Sequence, residues 1–495
     1  MVDVIVSVWG DPSRWKPVSG YCIELPGGGF FTASRTYRSS LGALMEAFGG
    51  SRVLLFASST LGDPSVRCYS SLVSSVCSFV ESFVRDGEYC SDASRVGVVV
   101  LPGIGRFERG MVRSFLGSLD QFRVAAFLKT LDFLVECKPE RVILDLTHGL
   151  NYMPTYVRLS VFDALTCYSA LAKTEVKLLV YNSEPFPEGA EEANGLNIML
   201  VEDYRFKPAW ALGRLYDLLA SAFTTWAKHT PIRSVFGRRP PVYSEVGWRS
   251  LYRCVEKLVK AASWGLIIPL AESVEELSSL DLVTLKCEIE RFSYLRDCED
   301  LVEVNERILR YLFSPVYEAA LLLGFAEAVR PIDLKLRRVD GGFSGADLRA
   351  LGDALLQKTP LELFKHEWSQ IESRVRLLRC LGFDVDCWRR LKTYIEVGNL
   401  RLEDTEDISL LERMSKAKEA GKSLDTNQVL CKLKNKVNMA LVEGERVGDI
   451  EERNFIAHAG LERNITLVSA KGDDIFVKYD ESLKERVDKI IQGLS

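Results

Sequence analysis

Residues 141–154 read RVILDLTHGLNYMP, and this stretch decides how the first part of the chain is interpreted. Its first half, RVILDLT, is a run of β-branched and aliphatic residues with the length of a buried strand. A histidine, a glycine and an asparagine follow at the point where such a strand would end. Ligands of open α/β sheets bind at the carboxyl ends of the strands. The stretch therefore predicts a buried strand with binding residues on the loop after it.

Further strand-like runs alternate with helical segments over residues 1–207. The predicted strands lie at 2–8, 52–58, 95–101, 176–182 and 196–206, and the predicted helices at 66–85, 119–136 and 153–171. Residues 21–34 predict a hairpin around a glycine-rich turn. This alternation is typical of a largely parallel sheet covered by helices on both faces. We therefore predict an α/β Rossmann-like N-terminal domain.

Length and charge exclude several broad classes of protein. A chain of 495 residues is too long for one ordinary domain. A net charge of −5 argues against the broad basic surface of a nucleic-acid coat protein. No apolar run approaches the roughly 18 residues of a membrane span, and the N-terminus lacks the features of a signal peptide. We expect a soluble cytoplasmic protein with no membrane contact.

The cysteines and glycines predict neither a metal site nor a bound cofactor. None of the 12 cysteines forms a CxxC pair or lies at zinc-ligand spacing from one of the 4 histidines. Their disulfide state stays open. The sequence Pro102-Gly103-Ile104-Gly105 lacks the third glycine of a dinucleotide fingerprint, and no P-loop motif occurs. An ordinary dinucleotide or nucleoside triphosphate site is therefore not supported.

Candidate ligand-binding residues cluster on the loops that follow the predicted strands. They are Gly10 and Asp11, Gly103 and Ile104, and the group Thr147, His148, Gly149 and Asn151. Ser39 and Ser40 precede a predicted helix whose N-terminus is a place for an anion. Glycines let the backbone approach phosphate, while hydroxyl, amide and imidazole groups bind sugar and base. Taken alone, His148 has an equally good interpretation as a capping or core residue.

The stretch 145–154 strongly resembles the strand–loop motif of the CARF domain in CRISPR-associated effectors of type III systems. CARF domains dimerise and bind a cyclic oligoadenylate across the dimer axis. The resemblance implies that Thr147, His148, Gly149 and Asn151 face that ring, and that the loops at Gly10–Asp11, Ser39–Ser40 and Gly103–Ile104 complete the pocket. It also implies cyclic tetra-adenylate as the activator. A ring of two-fold symmetry suits a dimer axis, because each subunit makes equivalent contacts.

A second motif, ERNFIAHAG, occupies residues 452–460 near the end of the chain. On a helix, Asn454 and His458 share a face, and the long side chain of Arg453 can bend toward it. A histidine can transfer protons near neutral pH, and an arginine can stabilise the charge that builds up on a phosphate. These groups suit metal-free cleavage of RNA, in which the 2′-hydroxyl is the nucleophile. The spacing by itself also arises by chance.

This motif resembles the R-x4-6-H signature of HEPN ribonucleases, in which a polar residue follows the arginine. HEPN sites are composite, because two copies of the helix meet across a dimer. The resemblance implies a metal-independent endoribonuclease of type III CRISPR antiviral defence that acts as a homodimer or a higher oligomer of dimers. Its substrate would be single-stranded RNA, and its products would carry 2′,3′-cyclic phosphate and 5′-hydroxyl ends. Arg453, Asn454 and His458 would be catalytic.

These patterns predict three parts of the chain. A CARF-like sensor at 1–207 is followed by an all-α connector at 208–345, with helix-turn-helix-like packing left open. An α-helical HEPN-like domain with a small β-hairpin at 465–480 and a last helix at 481–493 completes the chain at 346–495. We expect His366 at the surface or at a boundary, and Trp368 in the core.

Two rival functions stay open. The basic, turn-rich segment 231–244 would suit a nucleotide-sensing transcription regulator with a CARF-like sensor and a DNA-binding middle segment. No basic recognition helix stands out in the acidic chain, which argues against that function. A HEPN toxin held by an antitoxin would leave residues 1–207 without a role. Three lysines at 432, 434 and 436 either steer RNA or form a solvated face, and we favour the second.

Overall fold

The computed structural model describes most of the chain, in the ranges 3–86, 93–109, 111–149, 151–229, 245–285, 292–298, 301–307, 325–326, 336–400, 426–445 and 450–494 and at the single positions 409, 412, 416 and 448. The chain forms two compact units, Met1–Trp248 with Asp281–Ala328, and Arg249–Leu280 with Val329–Ser495. The connector predicted at 208–345 therefore contributes to both units, and its boundaries remain predictions. Among the described helices, none combines the length and hydropathy that crossing a membrane requires.

The first unit is built on an eight-stranded sheet. Its strands are β1 (Asp3–Trp9), β3 (Cys22–Glu24), β4 (Phe30–Thr32), β6 (Arg52–Ser58), β7 (Val96–Leu101), β10 (Arg141–His148), β11 (Val176–Ser183) and β13 (Asn197–Phe206). They lie in the order β4-β3-β13-β11-β10-β1-β6-β7. The five strands from β11 to β7 are parallel, β13 is antiparallel to β11, and β3 forms a hairpin with β4. The predicted parallel core and the predicted hairpin are confirmed.

Helices of the first unit follow its strands in the expected alternation. They are α1 (Ser40–Phe48), α2 (Tyr69–Asp86), α3 (Leu119–Cys137), α4 (Met153–Ala172) and α5 (Pro208–His229). α3 begins at a capping box formed by Ser118 and Gln121. The central strands are apolar because their side chains, such as Ile5 and Ile143, are fully buried in the core. Because β1 and β10 pair in parallel, their carboxyl ends lie side by side.

Two small sheets in the first unit were not predicted. One contains β2 (Val18–Ser19), β5 (Thr36–Tyr37) and β12 (Ala193–Asn194), and the other contains β8 (Ile104–Arg109), β9 (Met111–Leu116), β14 (Phe292–Cys298) and β15 (Leu301–Arg307). The expectation of an all-α connector is thus corrected, because β14 and β15 form an antiparallel hairpin within it. β15 pairs with β9, which is distant in the sequence, so helical periodicity in the connector did not reveal it.

The second unit combines helices with a five-stranded sheet. Its helices are α6 (Glu245–Trp264, from Arg249 onward), α7 (Ile267–Ser278), α8 (Gly345–Leu355), α9 (Lys358–Cys380), α10 (Leu391–Gly398), α11 (Thr426–Gly444), α12 (Glu452–Ala457) and α13 (Lys484–Gly493). Its strands are β16 (Arg338–Val339), β17 (Gly342–Ser344), β18 (Arg389–Arg390), β19 (Thr466–Lys471) and β20 (Asp474–Tyr479), in the order β16-β17-β20-β19-β18. The predicted hairpin is confirmed as β19 and β20, and the predicted last helix as α13.

Two predictions concern parts of the chain that the structure does not describe. The first is the basic segment 231–244, which suggested a regulator. The second concerns the side chains of Lys432 and Lys434, whereas Lys436 is described and is exposed. His366 is exposed and Trp368 is buried, as predicted.

The contact between α8 and α9 yields a prediction about stability. A Cβ atom on Gly345 would lie 1.8 Å from Cζ2 of the buried Trp368. We expect Gly345→Ala to lower the free energy of unfolding by about 1–3 kcal/mol, because the indole must shift. Chemical denaturation of the full chain measures this loss. Gly493→Ala is the matched control, since its Cβ meets open space and alanine favours a helix. Equal stability of Gly345→Ala and the wild type would contradict the packing described here.

Candidate functional site

The loops after β1 and β10 are joined by a backbone hydrogen bond. Trp9 lies opposite His148 in the parallel pair, and the N–H of Gly10 donates to the carbonyl oxygen of His148 at 2.6 Å. Both loops also lie beside the N-terminus of α1. The structure therefore brings together three of the predicted loops, those at Gly10, at Ser39–Ser40 and at His148.

Asp145 is a fully buried carboxylate that links three elements. It accepts hydrogen bonds from Ser7 Oγ of β1 at 2.9 Å, from Ser40 Oγ of α1 at 2.8 and 2.9 Å, and from the Thr147 N–H at 3.1 Å. A buried charge requires such donors, because it has lost its water. Asp145 thus holds the start of α1 against the ends of β1 and β10. The sequence signal for this role was a carboxylate inside an aliphatic run.

The imidazole of His148 caps α1. The Ser40 N–H donates to Nε2 of His148 at 3.1 Å, and the Trp15 ring stacks on the imidazole with 4.1 Å between centroids. An accepting Nε2 carries no proton, so the neutral ring has its hydrogen on Nδ1. Burial lowers the pKa of His148 to about 4, although nearby Asp145 opposes the shift. The capping interpretation of His148 agrees with this contact, whereas no sequence pattern indicated Trp15 as its partner.

Ser39 and Ser40 are buried rather than open to a ligand. The Ser40 N–H already donates to His148, and the Ser40 hydroxyl already donates to Asp145. The expectation that this helix start offers Ser40 to an anion is thus corrected, since folding itself uses both donors. Asp11 also has a local role, because its Oδ1 accepts from the Ser13 N–H at 3.1 Å and caps a short 3-10 helix.

Gly103 and Ile104 lie farther along the sheet. They follow β7, and β6 separates β7 from β1. The Gly103 N–H donates to Ser59 Oγ at 2.8 Å. A Cβ atom on Gly103 would lie 2.7 Å from atoms of Phe115 and Thr60, so close packing explains this glycine. Ile104 begins β8 and is part of a hairpin, not of a loop.

The remaining residues of the loop after β10 differ in how far their side chains are available to a ligand. Thr147 Oγ1 accepts from the Ser183 N–H at 3.2 Å, which ties the loop to the end of β11. Gly149 leaves no room for a side chain, because a Cβ atom would lie 2.6 Å from Pro154 Cγ. The Asn151 side chain is exposed. Of this group, Asn151 is the residue that offers its side chain to solvent.

The C-terminal motif lies on a shorter helix than predicted. α12 ends at Ala457, and His458 is its C-cap with φ −110° and ψ 30°. Ala459 and Gly460 follow in the left-handed region, with φ values of 53° and 76°. The prediction of one regular helix through His458 is corrected. The His458 N–H still donates to the Asn454 carbonyl at 3.1 Å, but the imidazole extends from a turn.

His458 and Asn454 line a cleft of about 340 Å³. The other lining residues come from α9, α10 and the turn after α12 and are Glu367, Ile371, Arg374, Leu391, Ile395, Leu461, Glu462 and Arg463. Arg453 is exposed and is not among the lining residues. The structure therefore brings two of the three predicted catalytic residues into the cleft and leaves the third outside it.

Glu367, not Asn454, is the partner of the imidazole. The Nδ1 atom of His458 lies 3.2 Å from Oε2 of Glu367, and the two side chains are 48% and 18% exposed. Nδ2 of Asn454 instead donates to Oε2 of Glu451 at 2.5 Å. The contact that orients His458 is therefore the one to Glu367. A proton held on Nδ1 by Glu367 leaves Nε2 of His458 as the atom that can meet a substrate.

Charged side chains surround this imidazole. Burial lowers the pKa of Arg374, while Glu367 opposes the shift. Burial raises the pKa of Glu462, although its carboxylate accepts from the Asn464 N–H at 2.8 Å and from Asn464 Nδ2 at 3.0 Å. The sequence did not reveal Glu367 or Arg374, since both lie on α9, far from the motif. Within the described part of the chain, no group of three or more His, Cys, Asp or Glu residues could hold a metal ion.

Two family models match separate parts of the chain. The model of the CARF domain of the CRISPR system endoribonuclease Csx1 matches residues 4–185, and the model of the HEPN domain of the same family matches residues 363–481. Together they cover more than half of the chain. The chain is a CARF–HEPN protein of the Csx1 family. The CARF match contains Asp145 and His148, and the HEPN match contains Glu367, Arg374 and His458.

Two known proteins are similar to this CARF–HEPN chain. The CRISPR system endoribonuclease Csx1 of Methanocaldococcus jannaschii is 30% identical over 226 residues, which are 44% of each of the two proteins. The alignment thus spans less than half the length of that relative. The solved structure of Enterococcus italicus Csm6 bound to cyclic hexa-2′-fluoro-hexa-dAMP aligns over 89% of this chain and 99% of that chain, with 8% identity and a TM-score of 0.23. A TM-score of this size is too low to establish a common arrangement.

The neutral His148 of the CARF region predicts a pH dependence of stability. Its pKa is about 4 in the folded chain, below the usual 6.5, so the unfolded state binds more protons between these pH values. Stability should therefore fall as the pH is lowered through this window. His148→Gln should lose less stability, because its amide still accepts from Ser40 but does not ionise. Urea denaturation at pH 7 and pH 5 measures the difference.

His366→Gln is the matched control, since His366 is exposed. It should keep the pH dependence of the wild type. The same loss of stability in His148→Gln as in the wild type would refute a neutral, buried His148.

Proposed function

We propose that this chain is a CRISPR-associated endoribonuclease, which cleaves single-stranded RNA after a cyclic oligoadenylate binds its CARF region. The observation that carries the proposal is the half-exposed imidazole of His458. It lines a polar cleft within an R-x4-H motif, and the region around it matches a HEPN family model. The name of the relative from Methanocaldococcus jannaschii, an endoribonuclease, supports the same class of activity.

The proposed reaction uses the 2′-hydroxyl of the RNA as its nucleophile. Nε2 of His458 takes the proton of that hydroxyl, O2′ forms a bond to phosphorus, and the bond from phosphorus to O5′ breaks. The leaving O5′ takes up a proton from solvent, to which His458 returns the proton it has taken, and the products carry a 5′-hydroxyl end and a 2′,3′-cyclic phosphate. Glu367 keeps the Nδ1 proton of His458 in place throughout. This route needs neither a metal ion nor a nucleophile from the protein.

We assign the activator as cyclic tetra-adenylate, bound across the axis of a homodimer. The support is the position of Thr147, Gly149 and Asn151 at the carboxyl end of a central strand, in the region that matches the CARF family model. Equivalent loops of two subunits would make equivalent contacts to the ring. Activation requires that the ring bind the active arrangement of the subunits more tightly than the inactive one. Two HEPN regions would then form the composite site.

The first prediction from this proposal concerns His458. In EDTA, wild-type protein should cleave labelled single-stranded RNA when cyclic tetra-adenylate is present. His458→Ala should lower the rate by at least about 100-fold, because the proton acceptor is lost. His366→Ala should cleave like the wild type, since His366 is exposed and does not line the cleft. Mass spectrometry of the products should detect the 2′,3′-cyclic phosphate.

Three outcomes of this experiment separate parts of the proposal. If folded, dimeric protein does not cleave RNA with cyclic tri-, tetra- or hexa-adenylate, the proposed ribonuclease activity is refuted. Cleavage with another ring size would correct the activator alone. If cleavage disappears in EDTA and returns with Mg²⁺, the proposed metal-independent mechanism is refuted.

The second prediction concerns Glu367. Glu367→Ala should lower kcat by about 10- to 100-fold, because His458 loses the group that fixes its orientation and tautomer. Glu367→Gln should lose less, since an amide oxygen still accepts the Nδ1 proton. The KM for RNA should stay within about two-fold, because the carboxylate binds the imidazole and not the RNA. Steady-state kinetics measures both constants.

Glu362→Gln provides the control, because Glu362 is an exposed residue of the same helix, α9. It should have wild-type kcat and KM. A wild-type kcat for Glu367→Ala would show that the contact between Glu367 and His458 has no part in catalysis.

A further inference from the structure

Arg374 presents a cation to the cleft from outside the R-x4-H motif. Glu367, Ile371 and Arg374 are spaced by four and three residues, so they form one stripe on α9, and all three line the cleft. Side chains of a helix lean toward its N-terminus. The guanidinium of Arg374 is close enough to Glu367 for the two charges to interact.

The guanidinium of Arg374 has no hydrogen-bond partner at its Nε atom within the described part of the chain. Its Nε is buried and makes no hydrogen bond, and no ion pair to another described residue engages its charge. Glu367 attracts this cation and opposes the lowering of its pKa, but the two side chains form no ion pair, because the Glu367 carboxylate lies against His458. A buried donor without an acceptor on a partly buried cation is costly to keep. An anionic ligand would supply an acceptor for this donor and a negative charge for the guanidinium.

The two other arginines near the cleft are less suited to this ligand. Arg453 is exposed and outside the cleft lining. Arg463 lines the cleft but is exposed, so water can satisfy its donors. Arg374 differs from both because it lines the cleft, is partly buried, and has a buried Nε without a hydrogen bond in the described part of the chain.

We propose that Arg374 of α9 binds the scissile phosphate of the RNA substrate. This assignment rests on the proposed ribonuclease function and adds to it the residue that holds the reacting group. A planar guanidinium matches two phosphate oxygens at once, and it stabilises the extra negative charge on them as O2′ attacks. His458 and Arg374 then flank one phosphate, with Nε2 of His458 facing the 2′-hydroxyl.

The decisive variant is Arg374→Met, which keeps an unbranched chain and removes the charge and the donors. Cleavage should fall on the order of 100-fold. The thermal unfolding midpoint should stay the same or rise, because an apolar side chain of similar length replaces a partly buried cation that has no ion pair within the described part of the chain. If Arg374 had only a structural role, Arg374→Met would lower the unfolding midpoint, and the folded protein would cleave RNA like the wild type. Arg374→Lys should fall between the two, since it keeps the charge without the fork.

Arg376→Met is the matched control. Arg376 is an exposed arginine two residues along α9, which places it on another side of the helix from the cleft stripe. It should cleave RNA like the wild type. Arg453→Met gives a direct comparison with the arginine of the motif.

A binding measurement separates this proposal from the ribonuclease function. Fluorescence anisotropy with a 2′-O-methyl RNA, which has no nucleophile, should give weaker binding to Arg374→Met than to Arg376→Met. If the wild type does not cleave RNA, the ribonuclease fails, and weaker binding by Arg374→Met still supports the phosphate contact. If the wild type cleaves and Arg374→Met cleaves equally well, the Arg374 assignment fails alone.

Two further results would overturn the assignment. One is a lower unfolding midpoint for Arg374→Met with wild-type cleavage by the folded protein, which would make the residue structural. The other is loss of cleavage in Arg453→Met alone, which would give the phosphate to the arginine of the motif.

Discussion

A carboxylate that folding removes from water needs donors around it, and Asp145 takes them from three separate parts of the first unit. The hydroxyls of Ser7 and Ser40 and the N–H of Thr147 all point at it. Losing any one of them would leave a buried charge short of a partner. The strand β1, the loop after β10 and the start of α1 therefore form a single mechanical unit. A ligand that displaces residues 147–151 must also act on α1.

The HEPN region uses the same device at its cleft. A backbone turn with Ala459 and Gly460 in the left-handed region directs His458 away from α12, and Glu367 on α9 then fixes the ring. Neither part suffices by itself, because the turn sets the position of the imidazole and the carboxylate sets its tautomer. In both regions, a histidine at the end of one element is held by a group from another element. In the CARF region that group is the Ser40 N–H, and the histidine is an acceptor.

Local patterns in the sequence were sufficient for the elements but not for their side-chain partners. The strand at 141–148, the hairpin at 466–479 and the short spacing between Asn454 and His458 are all encoded by neighbouring residues. The pairing of β15 with β9 depends on residues far apart in the chain, so local patterns did not predict it. The presence of Glu367 and Arg374 in the cleft was not predicted for the same reason. The end of α12 at Ala457 was not predicted because a left-handed alanine has no local sequence signal.

An acidic chain can admit RNA only where local cations outweigh local carboxylates. The cleft contains the guanidiniums of Arg374 and Arg463 beside the carboxylates of Glu367 and Glu462. Glu462 is turned toward Asn464, and burial raises its pKa, so its charge is weakened where a phosphate would approach. Glu367 lies against His458, so its carboxylate accepts from the imidazole. Of the two arginines in the cleft, Arg374 is the one whose Nε is buried and makes no hydrogen bond in the described part of the chain. A chain with a net charge of −5 can thus offer an arginine donor to a phosphate without a broad basic surface.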